Sequence, residues 1–593
     1  MSFIEKIKNQ GCRRLLSPIV DNPIFFIFQF IIINAPIWVY WITQYYPYLR
    51  FYAILASPIT FFAAYILTAI VNGIPKLKIP FYIITYILSI FEVYIILEFG
   101  VRFSHTIFQL IAETTLDEAS GFFKAYVFTS TVLIYLTIIT VFIGINVFAE
   151  KSNKVRCAVA KLVNFIVNKF AIMISIAILS LGAVSVYRDI RFTRCLLTYP
   201  YIQVPAMLMR YTYSTIYTTL GNCVYAVYMH HSTMNDLELL VNTMSEISDV
   251  SSDSVSGNII LILGESFNKH HSSLYGYTLQ TNSALEKEID NLYVMTDVVT
   301  PHNGTSKCLR KLFSFSNQDN DLYWATTPLF PALYKSAGYT VTFLSNQECL
   351  GGGKGIWNSI NNCLVNESII PYLYDYVNTS VYEYDMDLVL EYEKTSVPKG
   401  ISNFIIFHLI GQHVDYNDRY TRNEMAFTLG DYDCRLDLTD AQKETIMHYD
   451  NATHYNDKVV ASIINSFRDK DAIIIYLSDH GDEVFDYRNH FGRSHEPIIT
   501  KGRAMHQYEV PLIIWVSDKY KEKRPSMIDK IQQSVNRPFM TDDLPHLMLD
   551  IAGINCEWFD PSRSLINDKY NTSRRRLLED SKQNYDEIAK CPN

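Results

Sequence analysis

The chain has 593 residues, more than one packed core usually takes, so a size of roughly 100–200 residues per domain predicts three or more structural units. It is 49% hydrophobic and 19% charged, against roughly 25% charged residues in ordinary soluble proteins, which places part of the chain in a lipid bilayer. The net charge of −9, from 51 basic and 60 acidic residues, opposes binding to a phosphate backbone, and we exclude nucleic acid as a partner.

Five apolar stretches in the first third of the chain are each long enough to cross a bilayer, which takes about 17–25 residues. They cover residues 22–41, 52–71, 80–99, 125–148 and 165–186. The first stretch lacks a small-residue cleavage site and other apolar stretches follow it, so we expect a retained anchor and not a removable signal peptide. Residues 1–190 are therefore expected to form a membrane domain with five transmembrane helices.

Basic residues in the short loops predict the orientation of these spans. They cluster before the first span, after the second and after the fourth: Lys6, Lys8, Arg13, Arg14; Lys76, Lys78; Lys151, Lys154, Arg156, Lys161. Such loops stay on the cytoplasmic side. An odd number of spans then places everything after about residue 187 outside. Residues 191–245 are predicted to be amphipathic bridging helices and linker, and residues 246–593 a folded outer domain.

The outer domain alternates short β-branched runs with helical segments. The runs cover residues 258–263, 293–299, 340–344, 404–410, 472–477 and 510–516. Continuous apolar strands of this kind predict an α/β domain with a mostly parallel central sheet covered by helices on both faces. Ligands of such sheets gather at the carboxyl ends of the strands.

Five of these strands end in polar residues. The sequences that follow them are Gly264-Glu265-Ser266, Thr300-Pro301-His302-Asn303-Gly304-Thr305-Ser306, Ser345-Asn346-Gln347, Gly411-Gln412-His413 and Ser478-Asp479-His480. One polar residue after a strand is usually a turn or a helix cap. Five such ends that meet at one edge of a sheet predict a functional site.

Two carboxylates and an imidazole at this edge suggest a metal. Glu265, Asp479 and His480 offer the mixed oxygen and nitrogen ligands that suit zinc. A zinc ion would lower the pKa of a neighbouring hydroxyl, and Thr305 supplies one just before a predicted helix at residues 307–316. The N–H groups at a helix start bind phosphoryl oxygens. The pattern predicts phosphoryl transfer through a covalent threonine intermediate.

On these motifs the chain resembles the phosphoethanolamine transferases of the alkaline phosphatase and sulfatase superfamily. LILGES and LSDHGDE are similar to the two metal motifs of that family, and PHNGTSKCLRKLFSF is similar to its nucleophile segment, 40 residues after Glu265. The resemblance implies a zinc site formed by Glu265, Thr305, Asp479 and His480, with one tightly bound ion and a second ion as an open alternative. It also implies that Thr305 is the residue that becomes phosphorylated.

The same resemblance implies an enzyme of the bacterial inner membrane whose catalytic domain lies in the periplasm. The donor would be phosphatidylethanolamine, and the acceptor lipid A or the lipopolysaccharide core. We expect a monomer embedded in the lipid bilayer.

Substrate-binding residues follow from further segments that are similar to those of the family. GQHVDY indicates His413, which would contact the phosphate group or a second metal ion, and SNQ indicates Asn346. A further histidine is expected in RNHFGRSHEP, where His495 is preferred to His490 because it lies nearer the strand that begins at 510.

The chain departs from the best-studied branch of this family around the nucleophile, which cysteines flank in that branch. Here Asn303 precedes Gly304, and a single cysteine, Cys308, follows. This leaves the acceptor open between lipid A and the core oligosaccharide. Ser306 is an alternative nucleophile, but one residue further along a helix it would point elsewhere.

An outward domain would permit disulfides, and Cys349 with Cys363 would close a short loop, although sequence does not fix connectivity and free thiols are the alternative.

Three other functions compete with this interpretation. A phosphoglycerol transferase would share Thr305 and the metal ligands and differ only in its donor lipid. A sulfatase would need a modified Cys or Ser in a C/S-x-P-S-R context, and the proline is absent after Thr305. A membrane scaffold without catalytic activity would not need the metal and nucleophile residues.

Overall fold

The computed structural model of the protein describes residues 3–43, 47–99, 103, 130–198, 235–252, 257–320, 322–347, 362–394, 400–494, 496 and 498–590. The chain separates into two compact units, with the division between residues 232 and 233.

The N-terminal unit is helical. Among its described residues, six helices cover Phe3–Asp21, Pro23–Thr43, Pro47–Gly73, Lys78–Phe99, Ser130–Lys151 and Asn153–Thr198, with a 3₁₀ turn at Pro75–Leu77. The last helix is interrupted at Phe170, where φ is −119° and ψ is 23°. The described part of each of the five predicted apolar stretches falls on one of these helices, residues 125–129 of the fourth lying outside the described residues, and the first helix precedes them all.

Four of the described helical stretches are long and apolar enough to cross a membrane: Pro23–Thr43, Pro75–Glu98, Val132–Lys151 and Asn153–Arg188. The helix over the second predicted span contributes a shorter apolar stretch, Ile59–Gly73, among the described residues. Large apolar side chains such as Ile138, Phe148 and Met173 are exposed, as lipid-facing residues are. The expectation of five transmembrane helices stays a prediction.

Polar contacts join two of these helices. The Lys78 Nζ lies 2.8 Å from the Glu150 Oε2, and the Tyr82 hydroxyl donates to Glu150 Oε1 at 2.9 Å. One turn further, the Asn146 amide donates to the Tyr86 hydroxyl at 3.0 Å. Each pairing satisfies a polar group that would otherwise be costly in an apolar environment.

The C-terminal unit is built on a seven-stranded sheet, counted over its described residues. The strands are β1 Gly257–Gly264, β2 Leu292–Met295, β3 Thr340–Ser345, β4 Tyr376–Val377, β5 Ser402–His408, β6 Ala472–Ser478 and β7 Leu512–Val516. Their order is β2-β7-β6-β1-β5-β3-β4. The two antiparallel pairings in this sheet are those of β7 with β2 and with β6, and the other four pairings are parallel. The predicted mostly parallel sheet is therefore confirmed.

The strand predictions needed small corrections. The run 293–299 contains β2 and a separate short strand, Val298–Val299, which pairs in parallel with Phe539–Met540. The two-residue strand β4 is too short to give a sequence pattern. Two further pairs join Ser251–Ser252 to Ile554–Asn555 and Leu577–Leu578 to Gln583–Asn584.

Helices cover both faces of the sheet. They include residues 235–245, Thr305–Phe313, Phe330–Ser336, Asn362–Val365, Ile370–Leu373, Asp385–Lys394, Asp440–Phe467, Lys501–Tyr508, Asp518–Lys523, Pro525–Ser534, Leu544–Ala552 and Tyr585–Lys590. Along β1, Ile259 and Leu261 pack against the helices Thr305–Phe313 and Leu544–Ala552. Ile260 and Ile262 pack on the other face, against Asp385–Lys394 and Asp440–Phe467. Successive strand residues thus fill two separate cores.

The predicted bridging segment is only partly described, because residues 199–234 lie outside the described part of the chain. The helix at residues 235–245 packs Leu237, Leu240 and Met244 into the core that contains Leu261. The end of the predicted segment thus contributes to the core of the C-terminal unit. The predicted domain boundaries themselves stay predictions.

Truncation of the sheet core should destabilise the C-terminal unit. Leu261 is fully buried at the centre of β1, so Leu261→Ala is expected to cost about 2–5 kcal/mol by loss of burial and formation of a cavity. Ile401→Ala, at a side chain that is 87% exposed, is the control. Chemical unfolding of the full-length protein in detergent measures both, and equal midpoints for the two variants would contradict the assignment.

Candidate active site

Two neighbouring parallel strands bring the predicted metal ligands together. Gly264 at the end of β1 pairs with Ser478 at the end of β6, so the residues that follow them, Glu265 and Asp479, leave the sheet side by side. With His480 they form a buried cluster whose ligand atoms all lie within 4.8 Å of one another. The His480 Nε2 is 3.3 Å from Glu265 Oε1 and 3.2 Å from Asp479 Oδ2.

The backbone turns sharply after Glu265 and fixes both carboxylates. Ser266 has a φ of 59°, a left-handed conformation that costs energy for a residue with a side chain. Its N–H donates to Asp479 Oδ1 at 3.1 Å, and its hydroxyl donates to Glu265 Oε1 at 2.7 Å. The strained residue thus supplies a donor to each carboxylate.

Thr305 joins this cluster from another part of the chain. Its hydroxyl lies 3.2 Å from both carboxylate oxygens of Glu265 and 3.2 Å from the Nε2 of His480. The helix starts at Thr305 instead of at the predicted residue 307, with Gly304 extended before it. The hydroxyl therefore stands at the N-terminal end of the helix, where backbone N–H groups point outward.

The electrostatics of the cluster favour a cation. Burial and the adjacent Glu265 carboxylate raise the pKa of Asp479 to about 7, against the opposing charge of His480. Burial would also raise the pKa of Glu265, but His480, His413 and Arg493 hold it well below its usual value. Two carboxylates in this dry site need positive charge beside them.

The histidine is oriented as a metal ligand. Its Nδ1 donates to the Gly481 carbonyl at 2.9 Å, which directs the Nε2 lone pair into the cluster. Within the described part of the chain, the buried Asp479 Oδ2 has no hydrogen-bond partner. Two carboxylates, an imidazole and the Thr305 hydroxyl therefore form a donor set that fits zinc.

Two residues that the sequence patterns missed also reach the cluster. Arg493 Nη1 donates to His480 Nε2 at 2.7 Å and lies 3.4 Å from the Asn303 carbonyl oxygen. Gln347 Nε2 donates to Glu265 Oε2 at 3.2 Å and to the Leu409 carbonyl at 2.8 Å. In the sequence, the only signal for them is that Gln347 lies in the SNQ segment and Arg493 in the RNHFGRSHEP segment.

Asn346 is occupied by the turn after β3. Its Nδ2 donates to Asp385 Oδ1 at 2.9 Å, and its Oδ1 accepts from the Tyr382 N–H at 2.7 Å. The contact to Glu265 comes from its neighbour Gln347. Substrate binding by Asn346 stays a prediction.

The predicted histidines are placed differently from one another. His413 lies near enough for its charge to lower the pKa of Glu265, and its N–H donates to the Ile410 carbonyl at 3.1 Å. His490 sits in a turn where its carbonyl accepts from the Phe485 N–H at 3.1 Å, and its ring contacts Phe491. The preferred residue, His495, lies outside the described residues. The roles of all three stay predictions.

The cysteines near the nucleophile are described in part. Cys308 is a buried free thiol whose Sγ lies 3.0 Å from the His302 carbonyl oxygen. Cys434 and Cys556 are free as well. Cys349 and the side chain of Cys363 lie outside the described residues, so the predicted short loop is not tested.

Two family models match this chain. Residues 257–554 match the family model described as Sulfatase, which covers half of the chain. The chain belongs to the sulfatase family. Residues 59–213 also match the model described as Phosphoethanolamine transferase EptA/EptB. The resemblance to phosphoethanolamine transferases inferred from the motifs is thereby confirmed.

Among curated relatives, the phosphoethanolamine transferase EptC of Escherichia coli (strain K12) is 29% identical over 373 residues, which is 60% of this chain. The chain spans 62% of the length of that relative. The Salmonella typhimurium (strain LT2) relative CptA is 27% identical over 55% of this chain and 56% of its own.

Among solved structures, the membrane-protein EptA of Neisseria meningitidis has a TM-score of 0.59 at 16% identity, over 91% of this chain and 97% of its own. This likeness confirms the fold, a helical N-terminal region followed by an alkaline-phosphatase-like domain. The periplasmic domain of Escherichia coli EptC, solved with zinc, covers 58% of this chain and 97% of its own at 27% identity, with a TM-score of 0.49.

A glycine packed against Glu265 gives a test of the site. Gly411 has a φ of 50°, and a Cβ there would lie 2.9 Å from the backbone N and O of Glu265. Gly411→Ala is therefore expected to displace Glu265 and to weaken zinc binding by roughly tenfold or more, measured by calorimetry on the full-length protein. Gly430→Ala, whose Cβ would meet nothing closer than 3.8 Å, is the control. Equal zinc affinity in both variants would contradict this placement.

Proposed function

We propose that the protein transfers phosphoethanolamine from phosphatidylethanolamine to lipid A or to the lipopolysaccharide core, through a covalent phosphothreonine at Thr305. The observation that carries the proposal is the Thr305 hydroxyl, 3.2 Å from Glu265 and from His480 at the start of a helix. The matches of both halves of the chain to transferase and sulfatase families support it.

Glu265, Asp479, His480 and Thr305 would hold one zinc ion tightly, and a second ion near His413 remains an alternative. When bound, zinc would lower the pKa of the Thr305 hydroxyl and make it a usable nucleophile at neutral pH. His480 is held in the required tautomer by Gly481.

In the first step, the Thr305 oxygen attacks the phosphorus of the donor lipid. The bond from phosphorus to the diacylglycerol oxygen breaks, and diacylglycerol leaves with the proton that Thr305 lost. Arg493 is placed to bind the non-bridging phosphoryl oxygens, together with the N–H groups at the helix start. These donors stabilise the charge that develops on the phosphoryl group.

In the second step, a sugar hydroxyl or phosphate oxygen of the acceptor attacks the same phosphorus. The bond between phosphorus and the Thr305 oxygen breaks, and the proton of the acceptor restores the hydroxyl. The two steps together replace the phosphoester bond to diacylglycerol by a phosphoester bond to an acceptor hydroxyl, or by a phosphoanhydride bond to an acceptor phosphate. No water enters the balance, so the site must favour the acceptor over hydrolysis.

The N-terminal helices suit this reaction, because both donor and acceptor are lipids. We propose an inner-membrane location with five spans, a periplasmic C-terminal domain and a monomeric enzyme. The four described stretches that are long and apolar enough to cross a membrane support the anchoring.

Expression in a Gram-negative host, followed by mass analysis of lipid A and core oligosaccharide, tests this function. The expected result is an added phosphoethanolamine group on one of the two, with phosphatidylethanolamine consumed. Addition of phosphoglycerol would favour the alternative transferase, and unmodified lipid and core would contradict both.

The covalent intermediate makes Thr305 indispensable. Thr305→Ala is expected to lower transfer by roughly a thousandfold or more, because the nucleophile is lost. Mass spectrometry of the purified protein should show a phosphoethanolamine adduct on Thr305 in the parent chain and none in Thr305→Ala. Ser306→Ala is the matched control and should keep the adduct. Full activity in Thr305→Ala would refute the mechanism.

Arg493 should matter for the phosphoryl group. Arg493→Gln is expected to lower kcat by roughly a hundredfold, since it removes a charged donor to the transition state, and Arg493→Lys should recover part of the rate. Arg468→Gln, in an ion pair with Glu288, is the control. Steady-state kinetics on lipid substrates decide it, and an unchanged kcat in Arg493→Gln would exclude the role.

A further inference from the structure

The last part of the chain returns to the nucleophile. The segment 574–582, called here the tail segment, lies beyond residues 257–554, where the chain matches the sulfatase family model. It contacts the residues on both sides of Thr305. None of the motifs in the sequence analysis involves it.

Glu579 in the tail segment forms hydrogen bonds with the residues that precede Thr305. Its Oε2 accepts from His302 Nδ1 at 3.0 Å, and its Oε1 accepts from the Asn303 N–H at 3.2 Å. Its own N–H donates to the Pro301 carbonyl at 2.8 Å. Three consecutive residues, Pro301 to Asn303, are therefore tied to one residue of the tail segment.

The carboxylate of Glu579 has a further donor. The Tyr508 hydroxyl donates to Glu579 Oε1 at 2.8 Å. Burial would raise the pKa of this carboxyl, but His302, Lys307 and Arg503 hold it well below its usual value, so it stays ionised. An ionised carboxylate accepts all three side-chain and backbone donors, which an amide of the same shape would not.

The neighbouring tail residue holds the other side of the nucleophile. Asp580 Oδ2 lies 2.7 Å from the Nζ of Lys307, in the first turn of the helix Thr305–Phe313. The pair is partly exposed and adds little energy alone. Two successive tail residues therefore contact both sides of the nucleophile: Glu579 contacts residues before Thr305, and Asp580 contacts Lys307 after it.

The tail segment is itself anchored. Arg574 forms ion pairs with Asp542 and Asp543, which are buried, and Arg576 pairs with Asp297 and Asp586. Asp297 directly precedes the strand Val298–Val299, which leads into the nucleophile segment. These ion pairs hold the tail segment in place, and the tail segment in turn holds Pro301 to Asn303.

Asn303 also connects the nucleophile segment to the loop that contains Arg493. Its Nδ2 donates to the Ser494 carbonyl at 2.8 Å and to Gln507 Oε1 at 2.9 Å. Gln507 Oε1 also accepts from the Ser494 N–H at 3.1 Å. Ser494, the residue after Arg493, is therefore hydrogen-bonded to Asn303, whose backbone N–H donates to Glu579.

We propose that Glu579 is a positioning residue for the transfer reaction, one that holds Pro301 to Asn303 so that the Thr305 hydroxyl stays in reach of Glu265 and His480. It rests on the proposed function, because the reaction that it serves is the transfer at Thr305. Glu579 contacts neither the predicted zinc ligands nor the hydroxyl in the described hydrogen bonds, so it acts through the backbone.

The test compares Glu579→Gln and Glu579→Asp in the full-length enzyme in detergent. Gln keeps the shape but turns an N–H₂ group toward donors, and we expect kcat to fall by roughly tenfold to a hundredfold with KM for the donor lipid unchanged. Asp keeps the charge and should recover part of kcat. Hydrogen–deuterium exchange of the peptide that contains residues 301–313 should rise in Glu579→Gln.

The control is Asp568→Asn, which removes one negative charge after residue 554 at an exposed residue whose carboxylate lies 3.8 Å from Lys530. It should match the parent chain in kcat and exchange. Zinc content and unfolding midpoint are measured in every variant.

Two results would overturn the assignment of Glu579: an unchanged kcat in Glu579→Gln, or a loss of kcat that follows zinc content or folded fraction while exchange at residues 301–313 stays as in the parent chain. If the parent chain itself transfers no phosphoethanolamine, the proposed function fails. The exchange measurement then still decides whether Glu579 holds the nucleophile segment.

Discussion

The C-terminal unit is organised around two carboxylates that are buried side by side. Glu265 and Asp479 leave adjacent parallel strands at paired positions, and neither is more than about 1% exposed. Such a pair is unfavourable unless positive charge is brought to it, because buried like charges repel and lose their hydration. The guanidinium of Arg493 supplies part of that charge, and the ligand atoms of Glu265, Asp479 and His480 leave a place for a divalent cation.

This constraint explains the local backbone. The left-handed Ser266 directs an N–H and a hydroxyl at the two carboxylates, which only a sharp turn directly after the strand allows. Gly411 passes so close to Glu265 that a side chain would displace it. The strain at Ser266 is maintained by a rigid sheet with two well-filled cores, and it serves the geometry of the site. The stability of the sheet therefore supports the chemistry at its edge.

The sequence predicts those parts of the molecule whose determinants are local. A buried parallel strand appears as a short β-branched run, and the residue that follows it is known once the strand is known. Glu265, Asp479 and His480 follow strands directly, Thr305 lies at the start of a predicted helix, and the structure brings all four together. Strand β4 was missed because two residues carry no period, and the antiparallel direction of β7 depends on topology that an apolar run does not encode.

Gln347 and Arg493 could not be predicted by the same reasoning, since their contacts with Glu265 and His480 depend on how loops fold after the strands end. Adjacent residues of one turn have different partners here, since Asn346 donates to Asp385 and Gln347 donates to Glu265, and a sequence pattern does not encode that difference. Glu579 is more distant still, 276 residues from Asn303 in sequence. Contacts across such separations have no periodicity, so they follow from packing alone.

The negative net charge of the chain does not oppose binding of an anion at the site, because binding depends on the charges close to it. A phosphodiester is an anion, and it approaches two buried carboxylates only where cations outnumber them locally. Arg493, the helix start at Thr305 and a bound metal ion would supply that excess within a few ångströms, so a basic protein surface is not required. In the proposed reaction, a site of this kind would select its substrate by the local charge around one phosphorus atom.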